Sequence, residues 1–264
     1  MTDCAKMEVK DGVLEILFNR PPVNAIDANT SKSLGAAFAR LRDDDSLRVA
    51  IITAPGDRIF SAGWDLKNAS AVGANVRQDH GPGGFAGLTE VFDLNKPIIA
   101  AVNGRAIGGG FELVLCCDII VAAENADFAL PETAVGVVAD AGGLLRLPRR
   151  LPYHIAMDLL LTGRRMPAQE AARFGLVNAV VPRAQLMDKA REYARLIADG
   201  APLSVQATKE VIRQTEAMSI EEAMRKTHSD DGSFPTYARM YASEDLKEGP
   251  RAFAEKRKPQ WKGR

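Results

Sequence analysis

Five short runs in the first two-thirds of the chain are apolar almost from end to end: VLEILF (13–18), VAIIT (49–53), IIAAV (98–102), DIIVAA (118–123) and VNAVV (177–181). A strand with one face in water alternates apolar and polar residues, whereas a strand covered on both faces does not. Runs of this length and composition therefore predict strands of a largely parallel sheet with helices packed over it. The intervening segments agree, for example Ala28 to Leu41, which carries helical spacing. The class predicted is α/β.

After about residue 183 the strand signals stop. Leu186, Ala190, Tyr193, Ala194 and Ile197 recur at helical spacing, Ser219 and Glu222 form an S-x-x-E capping box, and Pro235 and Pro250 punctuate the later segments. The division predicted is a core over 1–183 and a helical region over 184–264. A chain of 264 residues can bury one large core with a smaller appendage.

Charge and cysteine content exclude several classes. Lys plus Arg equals Asp plus Glu, 34 each, so no overall field draws the chain to nucleic acid or a membrane. The N-terminal MTDCAKMEVKDG lacks the apolar stretch of a signal peptide, and LVLCCDIIVAA (113–123) is short and broken by Asp118. Three cysteines, two of them adjacent at 116 and 117, make no disulfide framework. A soluble, cytoplasmic protein is expected.

The usual catalytic signatures are missing. His80, His154 and His228 are far apart and belong to no metal-ligand cluster, and no GxSxG or GxxxxGK[ST] motif occurs. The run NGRAIGGG (103–110) lacks the GxGxxG order of a dinucleotide site.

Three segments carry chemistry. In GGGFELVLCCD (108–118), glycines lead into a helix with Glu112 in its first turn. Glycine lets a ligand approach the backbone, and a helix N-terminus offers free N–H groups and partial positive charge. That suits an oxygen that turns negative during reaction, such as a thioester carbonyl becoming an enolate. A tight turn with an ordinary first-turn Glu is the plainer alternative. In ADFALPE (126–132), Glu132 follows a proline, facing a cleft or lying on the surface; FSAGWDLK (60–67) ends a strand in a turn. The glycine-rich HGPGGFAG (80–87) is either a disordered surface loop or an active-site lid.

Together, NRPPVNAID (19–27), FSAGWDLK, KPIIAAVNGRAIGGGFELVLCCDI (96–119), FALPETAVGV (128–137), AGGLLRLPR (141–149) and FAEKRKPQWKG (253–263) resemble the enoyl-CoA hydratase/isomerase, or crotonase, family along nearly the whole chain. The resemblance implies a crotonase-like spiral of ββα units with a C-terminal helical oligomerisation region. Ala139 departs from it, standing where the family usually has proline. The stretches FSAGWDLK, GPGGFAGLTEVF, GGGFEL and EGPRAFAEKRKPQWKGR are most similar to the branch that interconverts carnitinyl-CoA with crotonobetainyl-CoA and water.

By that resemblance Glu112 and Glu132 are the acid–base pair of a hydratase/dehydratase, and the N–H groups of Ala62 and Gly109 hold the thioester oxygen. Coenzyme A, which is part of the substrate, falls to Asn24, Ala25, Ile26, Asp65, Leu66 and Lys67, with Phe253 and Lys256 reaching a neighbouring subunit of a homotrimer or homohexamer. No metal or other cofactor is implied. A trimethylammonium has no hydrogen to donate and is best held by aromatic faces or a carboxylate. Trp64, Phe85, Phe111 and Asp140 are the candidates. Trp64 could instead pack beside the adenine-binding turn, and Asp140 could cap the helix beginning near Gly142.

Two rival readings remain. One is general short-chain enoyl-CoA hydration or isomerisation in fatty-acid oxidation. The other is RNA binding through the basic, Trp-containing EKRKPQWKGR (255–264), which zero net charge and the lack of another basic stripe disfavour.

Overall fold

The computed structural model describes residues 4–71, 78–229 and 231–264. The chain forms two compact units, Met1–Phe92 with Ile98–Ala194, and Asp93–Pro97 with Arg195–Arg264.

The first unit begins with β1 (Ala5–Lys10), β2 (Val13–Phe18), β3 (Ala25–Ile26), α1 (Ala28–Asp43), β4 (Val49–Thr53), β5 (Ile59–Ser61), β6 (Gly63–Trp64) and α2 (Leu66–Ala71). It continues with β7 (Ile98–Val102), β8 (Arg105–Ile107), α3 (Gly109–Leu115), β9 (Ile119–Ala123) and β10 (Asp127–Ala129). Then come α4 (Gly143–Arg150), α5 (Tyr153–Thr162), β11 (Met166–Pro167), α6 (Ala168–Arg173), β12 (Ala179–Val181) and α7 (Leu186–Ala198), whose last turn belongs to the second unit.

The apolar runs build the larger sheet, in the order β1-β2-β4-β7-β9-β12. All its pairs are parallel except β1 with β2. Every residue of β4 and β7 is buried, as double-faced covering requires. Asp118, which interrupts the apolar run before β9, is structural: its N–H donates to the Ile98 carbonyl and its carboxylate accepts the Ile98 N–H at 2.8 Å. Helix α1 starts on Asp27, whose carboxylate accepts the Thr30 N–H at 2.7 Å, and buries Leu34, Ala37, Phe38 and Leu41 on one face.

A repeating step organises this unit. From β4 the chain passes to β5, from β7 to β8 and from β9 to β10, leaving the larger sheet for a smaller one of order β11-β10-β8-β5 before turning into a helical segment. In the smaller sheet β5, β8 and β10 run parallel, with Ala106 opposite Ser61 and Phe128, and Ile107 opposite Ala129. The three segments leaving these strands therefore emerge side by side. They are Ala62–Trp64, Gly108–Glu112 and Leu130–Glu132.

Segment 80–87 is ordered and packed on α1. A Cβ placed on Gly87 would come 2.2 Å from the Gly35 nitrogen, an approach only glycine permits. The Ala86 N–H donates to the Ser31 hydroxyl at 3.0 Å, and the His80 ring lies 5.2 Å from that of Phe85.

The second unit is helical, with α8 (Pro202–Thr215), α9 (Ile220–Thr227), α10 (Pro235–Ala242) and α11 (Asp245–Ala254). Ser219 caps α9 by accepting the Glu222 N–H, as its motif predicts. Buried Glu210 accepts the N–H groups of Thr236 and Tyr237, satisfying donors of the first turn of α10. The basic residues of 255–264 are largely paired within this unit: Arg257 with Glu248 and Glu255, Lys262 and Arg264 with Glu244.

Candidate active site

Helix α3 opens with Gly108 at φ 54°, a left-handed conformation that favours glycine. The Gly108 N–H donates to the Ala129 carbonyl, while its own carbonyl accepts from Phe111 and Glu112. The N–H of Gly109 has no acceptor among the described residues. Beside it, a Cβ on Gly63 (φ 78°) would come 2.5 Å from the Ile107 oxygen and 2.7 Å from the Gly109 nitrogen, so β6 passes in van der Waals contact with this helix start.

The second donor is not the expected one. The Ala62 N–H donates to the Val23 carbonyl at 3.0 Å and is already satisfied. Further along, the Asp65 N–H donates to the Ile26 carbonyl at 3.0 Å. Successive N–H groups of a strand point to opposite sides, so that of Trp64 is directed away from β3. With the Ala62 N–H spent on Val23, Trp64 and Gly109 are the candidate pair of N–H groups for an oxyanion.

Glu112 is only 3% exposed. Its Oε1 accepts the Gly143 N–H at 2.8 Å. Burial raises its pKa to about 7; the Gly143 bond opposes this, Glu132 and Asp140 raise it further, and Arg146 lowers it. Glu132 opens a 3₁₀ turn (Glu132–Val135) just beyond β10. Its Oε1 lies 2.8 Å from where a Cβ on Gly108 would sit, and its Oε2 is buried and bonded to no protein group. Burial raises this carboxyl too, its own backbone N–H opposes that, and Asp140 adds to it. Two carboxyls that hold protons more tightly than usual thus converge beside a free helix N-terminus, as proton transfer near neutral pH requires.

The other expected residues divide. Asp140 is exposed and acts on both glutamates; the N-cap of α4 is Gly142, with no side-chain bond, so Asp140 does not cap it. Phe85 lies over the oxyanion turn, since a Cβ on Gly109 would meet its Cε1 at 2.3 Å. Phe111 is fully buried against Phe128, ring centroids 5.1 Å apart, and belongs to the core, not to the acyl pocket. Trp64, Ala25, Asp65, Leu66 and Lys67 line one cleft of about 720 Å³. Ile26 is 0% exposed and cannot touch a ligand there. Buried Asn24 spends its side chain on the Phe60 carbonyl and the Arg20 N–H. The resemblance carried both over as part of a contiguous motif, but alternate residues of a strand point inward.

Other supporting residues escaped the sequence. Arg20 bonds the Ala25 carbonyl, Asp27 and Asp65, tying both walls of the cleft together. Gly143 positions Glu112, and Arg146 bears on it; only the fold brings that loop to α3. Ala139, the departure from the family pattern, is buried, and its carbonyl accepts the Leu144 N–H. Phe253, in the second unit, is 87% exposed, and Lys256 is exposed as well.

Residues 8–264 match the family model described as enoyl-CoA hydratase/isomerase. The chain is 56% identical over 264 residues to a carnitinyl-CoA dehydratase of Proteus mirabilis, covering all of both chains. It is 57% identical over 252 residues to one of Salmonella agona, covering 96% of this chain and 95% of that one. Among solved structures it resembles an enoyl-CoA hydratase of Mycobacterium tuberculosis H37Rv, with TM-score 0.89 and 41% identity over 99% of this chain and 100% of that one. A probable enoyl-CoA hydratase/isomerase of Mycobacterium abscessus gives 0.87 and 44% over the whole of both. The ββα repeat and the helical C-terminal region are therefore those of a crotonase-like fold, and the chain belongs to the enoyl-CoA hydratase/isomerase family.

Proposed function

We propose that the protein interconverts carnitinyl-CoA with crotonobetainyl-CoA and water. The observation that carries this reading is the pair of glutamates at the start of α3, Glu112 buried and Glu132 half-buried with its Oε2 buried and bonded to no protein group. In hydration Glu112 takes a proton from water as the oxygen bonds to Cβ. The Cα–Cβ electron pair moves toward the thioester oxygen, held by the N–H groups of Trp64 and Gly109, and Glu132 delivers its proton to Cα. Dehydration runs the same steps backward. One such N–H is worth about 2.7–4 kcal/mol of transition-state stabilisation.

Coenzyme A occupies the cleft lined by Ala25, Asp65, Leu66 and Lys67 in this proposal. Phe253 and Lys256 meet the coenzyme of an adjoining subunit in a trimer or hexamer, which sedimentation of the purified chain with and without coenzyme measures. The cation of the acyl group is held by Asp140, Phe85 and Trp64, and a cytoplasmic location completes the reading.

The carnitinyl relatives favour a cationic acyl group; the enoyl-CoA hydratases among the solved structures favour a plain one. Turnover of crotonobetainyl-CoA against crotonyl-CoA separates them, with the cationic thioester expected to be the better substrate. In Trp64→Ala or Phe85→Ala, loss of a cation–π contact should cost crotonobetainyl-CoA about three- to thirtyfold more than crotonyl-CoA. Equal losses on both thioesters would remove that residue from the specificity site, and wild-type preference for crotonyl-CoA would overturn the substrate assignment.

A further inference from the structure

Arg146 has no part in the chemistry described so far, yet it touches two of the structures that shape the site. It stands one turn into α4, half-buried, with its guanidinium against Gly142: a Cβ added there would meet Nη1 at 1.9 Å. The next residue, Gly143, is the one whose N–H holds Glu112. The other end of the guanidinium donates from Nη2 to the Thr89 carbonyl at 2.7 Å. Thr89 closes the segment that covers Gly109, its hydroxyl donating to the Phe85 carbonyl at 2.9 Å.

The charges facing Glu112 come from three places. Glu132 lies in the turn after β10, Asp140 in the loop before α4, and Arg146 on α4 itself; Arg146 is the one cation among them. Glu132 and Asp140 both favour the protonated form of buried Glu112, because like charges repel, whereas Arg146 favours its ionised form. Hydration requires a definite distribution in which Glu132 carries the proton and Glu112 does not. A protonated Glu112 cannot accept a proton from water.

We propose that Arg146 is a positioning residue that locks the Phe85–Thr89 segment to the turn holding Glu112 and sets a positive charge beside that turn, favouring the ionised form of Glu112. This rests on the reading of Glu112 as the base. The arrangement gives one side chain two separable effects, a hydrogen bond to Thr89 and a charge beside Glu112. Gln retains an amide donor without the charge, and Lys retains the charge without the planar fork.

The test is the pH dependence of kcat/KM on the best thioester for wild type, Arg146→Gln, Arg146→Met and Arg146→Lys, with thermal unfolding of each. Activity should rise with pH as Glu112 loses its proton. In both uncharged variants that acid limb should move upward, because removing an opposite charge favours the protonated carboxyl. In Arg146→Lys it should stay near the wild-type position. An unmoved limb in the uncharged variants, or an equal shift in all three, would overturn the proposal. So would failure of both uncharged variants to fold, which would make Arg146 structural only. Retention of activity by Glu112→Gln would instead sink the base assignment beneath it, so the two failures are distinguishable.

Discussion

A carboxylate in the first turn of a helix is ordinarily comfortable as an anion, since the free N–H groups and the helix dipole favour negative charge. Glu112 sits in that position and still holds its proton up to a pKa of about 7, because burial outweighs the bond from Gly143. The folded chain therefore binds more protons than the unfolded one between the ordinary carboxylate range and about pH 7. Stability is lost as pH rises through that window, and the loss is complete above it. Replacing Glu112 with Gln removes the penalty. The Gln variant should be more stable than wild type above pH 7, by roughly 3 kcal/mol at most, with no advantage below about pH 4. Thermal unfolding of the pair from pH 4 to 8 measures it; a pH-independent difference would mean that Glu112 does not titrate high. Glycines and a proline marked both glutamates as candidates, but only the family resemblance chose the catalytic reading over the plainer ones. The second oxyanion donor was not legible, because whether an N–H is free depends on its partner. Val23 takes the one from Ala62, and no local pattern records that pairing.

Elements were legible in proportion to their length and burial. The runs at 13–18, 49–53 and 98–102 are strands with the expected bounds, while those at 118–123 and 177–181 begin later, at Ile119 and Ala179. The short strands of the smaller sheet gave no signal, since two or three residues cannot display a period; β1, exposed over five of its six residues, gave none either. The glycines of segment 80–87 suggested either a disordered loop or a lid; the segment is ordered, so disorder is not what they provide. They serve close approach instead: Gly87 packs on the Gly35 and Ser31 backbone of α1, and Gly83 on Gly87. Gly87→Ala would place a Cβ 2.2 Å from the Gly35 nitrogen at φ 69°. A destabilisation of about 1–3 kcal/mol is expected, as for overpacked cores, with reduced turnover as Phe85 leaves Gly109. An unchanged melting temperature with unchanged kcat/KM would show that the segment does not depend on this contact.

At the scale of the whole molecule, the first unit works by repetition. Each passage from the larger sheet to the smaller one delivers a segment to the same edge, so residues far apart in sequence meet: Trp64 after β5, Gly109 and Glu112 after β8, Glu132 after β10. The resemblance supplied this spiral; the apolar strands alone indicated only an α/β protein. In the second unit Phe253 and Lys256 are exposed, which is compatible with the proposed contact with an adjoining subunit. The proposed function nevertheless depends on the two glutamates acting as base and acid toward a thioester held at the α3 N-terminus. The most direct measurement is kcat/KM for hydration of crotonobetainyl-CoA by wild type, Glu112→Gln and Glu132→Gln, all shown to be folded. Each variant should lose about 10²–10⁴-fold, the usual worth of a positioned acid or base. A near-normal rate in either one would contradict the two-carboxylate mechanism.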